Sequence, residues 1–189
     1  MIPISEALAI IRREAFRLEA EPVEVENSVG RVLAEDIFAD MNLPPFDRSQ
    51  MDGFAVKSDD TKTAPVELEI VGESVAGKGF DRELKSGEAV RIMTGARVPE
   101  GADAVQKVEL TETEAAARDD FVIILEPAEA NQNIVRRGRE IEKGAPIFTA
   151  GEIITDKMIA ALASFGYARA KVFQKPRVSI LATGSEIVD

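Results

Sequence analysis

Between Leu43 and about Asn133 the chain is a succession of short Val- and Ile-rich runs, nearly all separated by Gly or Pro. "FAV", "VELEIVGESVAG", "AVRIMTG", "DAVQKVEL" and "FVIILEP" are each too short for a stable helix and are rich in strand-forming residues. Such a segment can bury its apolar side chains only by pairing strands across turns, so a compact β-rich module is expected here. "TETEAAARDD" interrupts the pattern with a polar stretch lacking aromatic residues, expected at the tip of a connection.

The flanks have a different texture. "SEALAIIRREAFRLEAEP" predicts a helix capped by Ser5, with Glu6 in its first turn, Leu8, Ile11, Ala15 and Leu18 along one face, and Pro22 at its end. "VEVE" then reads as a strand, and "NSVGRVLAEDIFAD" as a short helix entering a strand. Beyond the module, "GAPIFTAGEIIT" reads as two strands joined by a hairpin loop at Thr149-Ala150-Gly151. A second helix follows, with Thr155 as cap, Met158, Ile159, Leu162 and Phe165 as its apolar stripe and Gly166 at its C-terminal turn. "ARAKVFQ" reads as a strand. The fold class expected is therefore α+β, mainly β, with two helices in an outer domain (1–43 and 134–175) and a compact β-rich domain (44–133) inserted into it. Residues 176–189 read as the first strand and loop of an incomplete α/β domain, because the apolar run Val178–Ala182 lacks a covering helix.

Composition narrows the chemistry. The 189 residues contain no Cys and no His, which removes disulfides, thiolate nucleophiles, Ser-His-Asp triads and His- or Cys-ligated metals from the chain. A net charge of −11, from 23 basic and 34 acidic residues, opposes attraction to nucleic acid or to an anionic membrane. No apolar run reaches the ~20 residues of a membrane helix. The N-terminus lacks the features of a signal peptide. A cytoplasmic protein with small-molecule ligands is expected, and any anionic ligand requires a local basic cluster.

Four stretches combine turn chemistry with reactive groups. In "PPFDRSQMDGFAV", Asp52-Gly53 suits a type I′ hairpin turn, yet the stiff Pro44-Pro45 approach and the polar Asp47, Arg48, Ser49 and Gln50 also suit a displayed carboxylate, able to bind a cation, orient water or act as a base. In "RIMTGARVPEGADAV", Thr94 and Gly95 either form a turn or offer a hydroxyl and close backbone approach to an anion. "NIVRRGREIEKG" gathers Arg136, Arg137, Arg139 and Lys143 around Gly138, as a solvated basic loop or as an oxyanion clamp, with Glu140 beside it. "ATGSE" places Glu186 in a loop after a strand, as an ordinary turn or a cation ligand.

In this order, "LPPFDRSQMDGFAV", "RIMTGARVPEGADAV", "RRGREIEKG" and "PRVSILATGSEIV" resemble the successive signatures of the molybdopterin molybdenumtransferases, the MoeA family that includes the E domain of gephyrin. The resemblance implies insertion of molybdate into adenylated molybdopterin, with release of AMP, in a reaction requiring a divalent cation such as Mg²⁺. It also implies an elongated homodimer with its cleft between protomers, and an N-terminal region of irregular, bifurcated or coiled β-sheets carrying an inserted domain. By motif position, Asp52, Thr94, Glu140 and Glu186 fall on catalytic positions, with Asp52 and Glu186 toward the metal. Ser49, Gly95, Arg136 and Arg137 fall on the cofactor-binding surface. Two departures stand out: Glu140 replaces an aspartate, preceded by the extra Arg139, and Ser185 stands where an aspartate is common. On this resemblance the chain is the front part of an enzyme and is expected to be inactive alone. Two other readings of the residues are a non-catalytic dimerisation scaffold and a carboxylate-based metal phosphohydrolase.

Overall fold

The structure, a computed structural model, describes residues 2–113 and 120–180. In chain order its elements are α1 (Ile4–Glu14), β1 (Ala20–Glu24), β2 (Ile37–Phe38), β3 (Arg48–Ser49), β4 (Gly53–Val56), β5 (Val66–Ser74), β6 (Glu88–Ile92), β7 (Ala104–Lys107), β8 (Thr111–Glu112), β9 (Phe121–Ile124), β10 (Ile134–Val135), β11 (Pro146–Phe148), α2 (Asp156–Ser164) and β12 (Arg169–Phe173). The chain is α+β and mainly β. Among the described residues no helix is long and apolar enough to cross a membrane.

The chain divides into two compact units, one made of its beginning up to Asp40 and its end from Pro146, the other of Met41–Ala145. The expected outer segment beginning at residue 134 thus starts twelve residues later. The reason is strand pairing: Ile134 and Val135 of β10 pair with Ser49 and Arg48 of β3, and Ile141 bridges Leu43, which ties this stretch to the middle unit.

Unit 2 is organised by a six-stranded sheet in the order β7-β4-β6-β5-β9-β8. All pairs are antiparallel except β5 with β6. The alternating side chains of its strands supply two apolar clusters. One contains Phe54, Val56, Leu68, Val122 and Ile124; the other contains Ala55, Val90, Ile92, Val105 and Ile134. Successive residues of β4 therefore enter different clusters, the consequence of a strand covered on both faces.

Unit 1 pairs β1 with β12 and β2 with β11, both antiparallel. Its core joins Val25, Leu33, Ile37, Ile154, Met158, Leu162, Ala170 and Val172. Thr155 is at the N-cap of α2, although its side chain makes no capping bond. At the other end Gly166 has φ +76°, its amide donates to Ala163 and that of Tyr167 donates to Leu162, closing a Schellman turn.

Several local expectations give way to pairing. Pro3, not Ser5, caps α1, and its carbonyl accepts from the amides of Glu6 and Ala7. The helix stops at Glu14, short of Pro22, because Ala20–Glu24 is held in register against Phe173–Arg169. Pro22 is itself inside β1, an edge strand whose missing amide bond is tolerated. None of the helix's residues is buried, so the stripe through Leu8 and Ile11 does not enter this unit's core. The 149–151 turn also does not close a hairpin. Its two flanks go to successive parts of the 32–38 segment: Ile153 bridges Val32, while Phe148 pairs with Ile37.

Asp52-Gly53 is not a type I′ turn either. That turn requires positive φ at both central residues, and neither residue has one. Gly53 instead begins β4 at a point of very close backbone approach: a Cβ built there would lie 1.9 Å from the Gln106 carbonyl oxygen of β7. Gly53→Ala should lower unfolding stability by about 3 kcal/mol or more, measured by urea denaturation. Gly144→Ala, at φ +86° but with nothing within 4 Å of the new methyl, should cost only about 1–2 kcal/mol. Equal losses would show that the close approach is not what selects glycine at 53.

Candidate functional site

Asp52 is presented by a backbone fixed on both sides. After it, Gly53 is clamped between β6 and β7, paired with Ile92 and Lys107, and the Asp52 carbonyl accepts a 3.0 Å bond from the Val108 amide. Before it, Ser49 is fully buried; its hydroxyl donates to the Met51 carbonyl at 2.6 Å and accepts from the Met51 amide at 3.2 Å. The Gln50 amide donates to Asn133. A side chain mounted on so many backbone bonds keeps its direction.

Thr94 completes the arrangement. The turn after β6 places Gly95 at φ +82°, and the Gly95 amide donates to the Ser49 carbonyl. The preceding Thr94 amide and hydroxyl then both donate to Oδ1 of Asp52, at 2.7 and 3.0 Å. The amide bond first, and the hydroxyl second, hold the Asp52 carboxyl below its ordinary pKa. Oδ2 accepts no hydrogen bond from the described residues. The carboxylate lies at a cleft of about 250 Å³ lined also by Phe54, Arg91, Met93 and Val108.

The basic loop forms separate pairs. Asp47 receives the Arg137 amide at 2.8 Å on one oxygen and the Arg136 guanidinium on the other, and Arg136 also bonds Asn131. Burial pushes the Asp47 pKa up, but the Arg137 amide and the bond and charge of Arg136 outweigh it and leave the group more acidic than usual. Glu140 pairs with Arg48 at 2.9 Å. Gly138, at φ +75°, donates its amide to the Pro44 carbonyl and so returns the loop to the Pro44-Pro45 approach.

The structure therefore brings together Asp52, Thr94, Gly95 and Ser49. Among the described residues no hydrogen bond or ion pair joins this group to Glu140, Arg136 or Arg137. Glu186 lies outside the described residues. Ser49 spends its hydroxyl on the loop rather than on the surface. Arg48, expected only as one of the polar residues of the Asp52 loop, is the partner of Glu140; the signal for this is its place between Asp47 and Ser49, on a strand whose alternation turns Ser49 inward and leaves Arg48 half-exposed.

For a divalent cation, the fit rests on one carboxylate. Among the described residues no group of three acidic side chains could hold a metal. Mg²⁺ commonly takes only one or two carboxylates and completes its shell with water and phosphate, and the open Oδ2 of Asp52 suits that use.

This β-rich unit with its carboxylate-presenting loop belongs to a known class. The chain matches the family described as "MoeA N-terminal region (domain I and II)" over residues 2–166, and it belongs to that family. It is 42% identical to the molybdopterin molybdenumtransferase of Bacillus subtilis (strain 168) and 39% identical to that of Staphylococcus aureus (strain Mu50 / ATCC 700699). In both cases the alignment covers 100% of this chain and 45% of the relative, so the chain spans less than half the length of these relatives. Among solved structures, the molybdopterin biosynthesis MoeA protein of Pyrococcus horikosii superposes with a TM-score of 0.84 at 35% identity, covering 93% of this chain and 45% of that one.

The Asp52 geometry has a measurable consequence. Because its folded pKa is lowered, its contribution to stability is fully present above the unfolded value of about 3.9 and is lost as pH falls through the lower folded value. In a ¹³C carboxyl titration, Thr94→Val should move the Asp52 pKa part of the way back toward that ordinary value, since the amide donor remains; Thr94→Ser should leave it low. Identical titrations for the wild type and Thr94→Val would remove the hydroxyl from the account.

Proposed function

We propose that the chain is the N-terminal part of a molybdopterin molybdotransferase of molybdenum cofactor biosynthesis. The whole enzyme inserts molybdate into adenylated molybdopterin and releases AMP, as a cytoplasmic homodimer. The observation carrying this reading is the Asp52–Thr94 pair: an exposed carboxylate, kept ionised by two donors on one oxygen, with no donor among the described residues on the other. Family membership and the printed names of the relatives support the substrate class.

The lowered pKa supports one of the roles open to Asp52. A general base is most effective when its pKa lies near the working pH, and Asp52 is displaced in the opposite direction. It serves instead as a fixed negative charge that orients water or a cation. Asp52 and Glu186 are the residues that would hold Mg²⁺; when bound, the ion neutralises phosphate charge on the adenylate. Thr94 is a positioning residue in this scheme, acting through Asp52. Ser49 and Gly95 hold the two loops together, while Arg136 and Arg137 fix Asp47 and provide cationic surface for the anionic substrate. Glu140, paired with Arg48, sets the charge balance of that surface.

In the full-length protein, Asp52→Asn should reduce molybdenum incorporation and AMP release about 100-fold or more. Thr94→Ala should cost about 0.5–1.5 kcal/mol, a loss of roughly tenfold or less. Both variants should remain dimeric by light scattering. Unchanged turnover in Asp52→Asn would end the assignment of Asp52, and a wild-type dimer without turnover would favour a scaffold.

A further inference from the structure

Two charged side chains line the Asp52 cleft, Asp52 itself and Arg91 of β6; the rest of its wall is glycine or apolar, including Phe54, Met93 and Val108. At about 250 Å³ the cleft is smaller than the roughly 300–1,000 Å³ of sites that enclose a whole small molecule, and it suits one charged fragment of a ligand.

Arg91 is placed by the sheet. β6 is bonded to β4 along one edge and to β5 along the other, which sets Arg91 opposite Phe54 and Glu73. Its neighbours Val90 and Ile92 enter one apolar cluster, so strand alternation turns Arg91 to the other face, that of Ala89 and Phe54. Phe54 is buried there, and Arg91 is exposed. Among the described residues the Arg91 side chain makes no ion pair or hydrogen bond. Glu73, its partner in register, is not bonded to it and does not line the cleft. Other arginines of the unit are committed: Arg82 makes two bonds to Glu88, and Arg48 is held by Glu140.

An acid and an unpaired arginine in one small cleft oppose each other's ligands. A divalent cation alone gains Asp52 but is repelled by Arg91; a phosphate alone gains Arg91 but is repelled by Asp52. A cation that already carries a phosphate avoids both penalties. The ion takes the open Oδ2 of Asp52, phosphate oxygens take the forked donors of the guanidinium, and charges of opposite sign then alternate across the cleft.

We propose that Arg91 is a specificity residue that makes the Asp52 cleft bind a divalent cation and a phosphate together, in preference to either ion alone. This role rests on Asp52 as a cation ligand and extends that reading to the anion the cation carries. A single carboxylate beside an unpaired arginine is poorly suited to a resident cation, so the ion enters with the phosphate of the substrate.

The test follows the Asp52 ¹³C carboxyl, the Thr94 amide and the Arg91 Nε–Hε signal by NMR while the chain is titrated with MgCl₂, with sodium ADP or with the preformed Mg·ADP complex, at matched ionic strength. The complex should bind about tenfold or more tighter at these signals than either ion alone. Arg91→Gln should weaken the complex about tenfold or more and yet tighten MgCl₂, opposite signs that a merely structural role does not produce. Arg91→Lys, which keeps the charge and loses the fork, should leave MgCl₂ weak and restore the complex only in part. Equal affinity for MgCl₂ and the complex in the wild type would overturn the role of Arg91 and leave Asp52 a cation ligand; so would affinities that stay unchanged or fall together in Arg91→Gln. No response of Asp52 to any titrant would overturn both, whereas the transferase reading is tested separately by turnover of the full-length Asp52→Asn protein.

Discussion

The close approach of β4 to β7 at Gly53 is the constraint from which the Asp52 site follows. Three backbone atoms of Gln106 and Lys107 lie within 3.0 Å of where a Gly53 side chain would begin. With no side chain there, β4 can pair on one edge with β6 and on the other with β7. Asp52 is then the last residue before the chain enters a strand paired on both sides. Its carbonyl belongs to the Val108 amide, and its carboxylate meets the turn that ends β6. The same glycine that permits the packing therefore determines where the charge is displayed.

Much of this was legible in the sequence, because it depended on local pattern. The Val- and Ile-rich runs became β4, β5, β6, β7 and β9, and the stripe Met158, Leu162 and Phe165 became the buried face of α2. The expectations that failed were those decided by partners distant in sequence. Nothing local in "FRLEAEP" announces that Ala20 will face Phe173, nor in "TAGEI" that both flanks will seek the 32–38 segment. Asp52-Gly53 illustrates the same limit. Its sequence is favourable for a tight turn, yet the glycine is required by a strand more than fifty residues away. At the site, the motifs located Asp52, Thr94 and Gly95, but only tertiary pairing shows Thr94 serving Asp52 instead of a ligand directly.

The basic loop shows why a count of arginines is a poor guide to an anion site. Arg136 and Arg48 are both close to where a clamp was expected, but each has a carboxylate within bonding distance. Exposed pairs of this kind contribute roughly 0–1 kcal/mol to stability, so their main effect is to fix side-chain direction and cancel field. Charge without a protein partner is what remains to attract a ligand, and Arg91, which lines the Asp52 cleft, has no carboxylate partner among the described residues.

Asp52 and Asp47 represent opposite solutions to the same electrostatic problem. A carboxylate on a surface of an acidic protein would ordinarily gain protons more readily, as neighbouring negative charge disfavours its ionised form. Two donors from Thr94 reverse that tendency without adding positive charge, so Asp52 stays ionised while remaining attractive to a cation. Asp47 shows the other arrangement: besides the Arg137 amide it takes the Arg136 guanidinium, whose charge also lowers its pKa but neutralises it toward any third body. Neutral donors are therefore the arrangement suited to a carboxylate whose charge must remain available: both carboxylates accept an amide, but Asp52 adds a hydroxyl where Asp47 adds a guanidinium, and that separates the displayed carboxylate from the structural one.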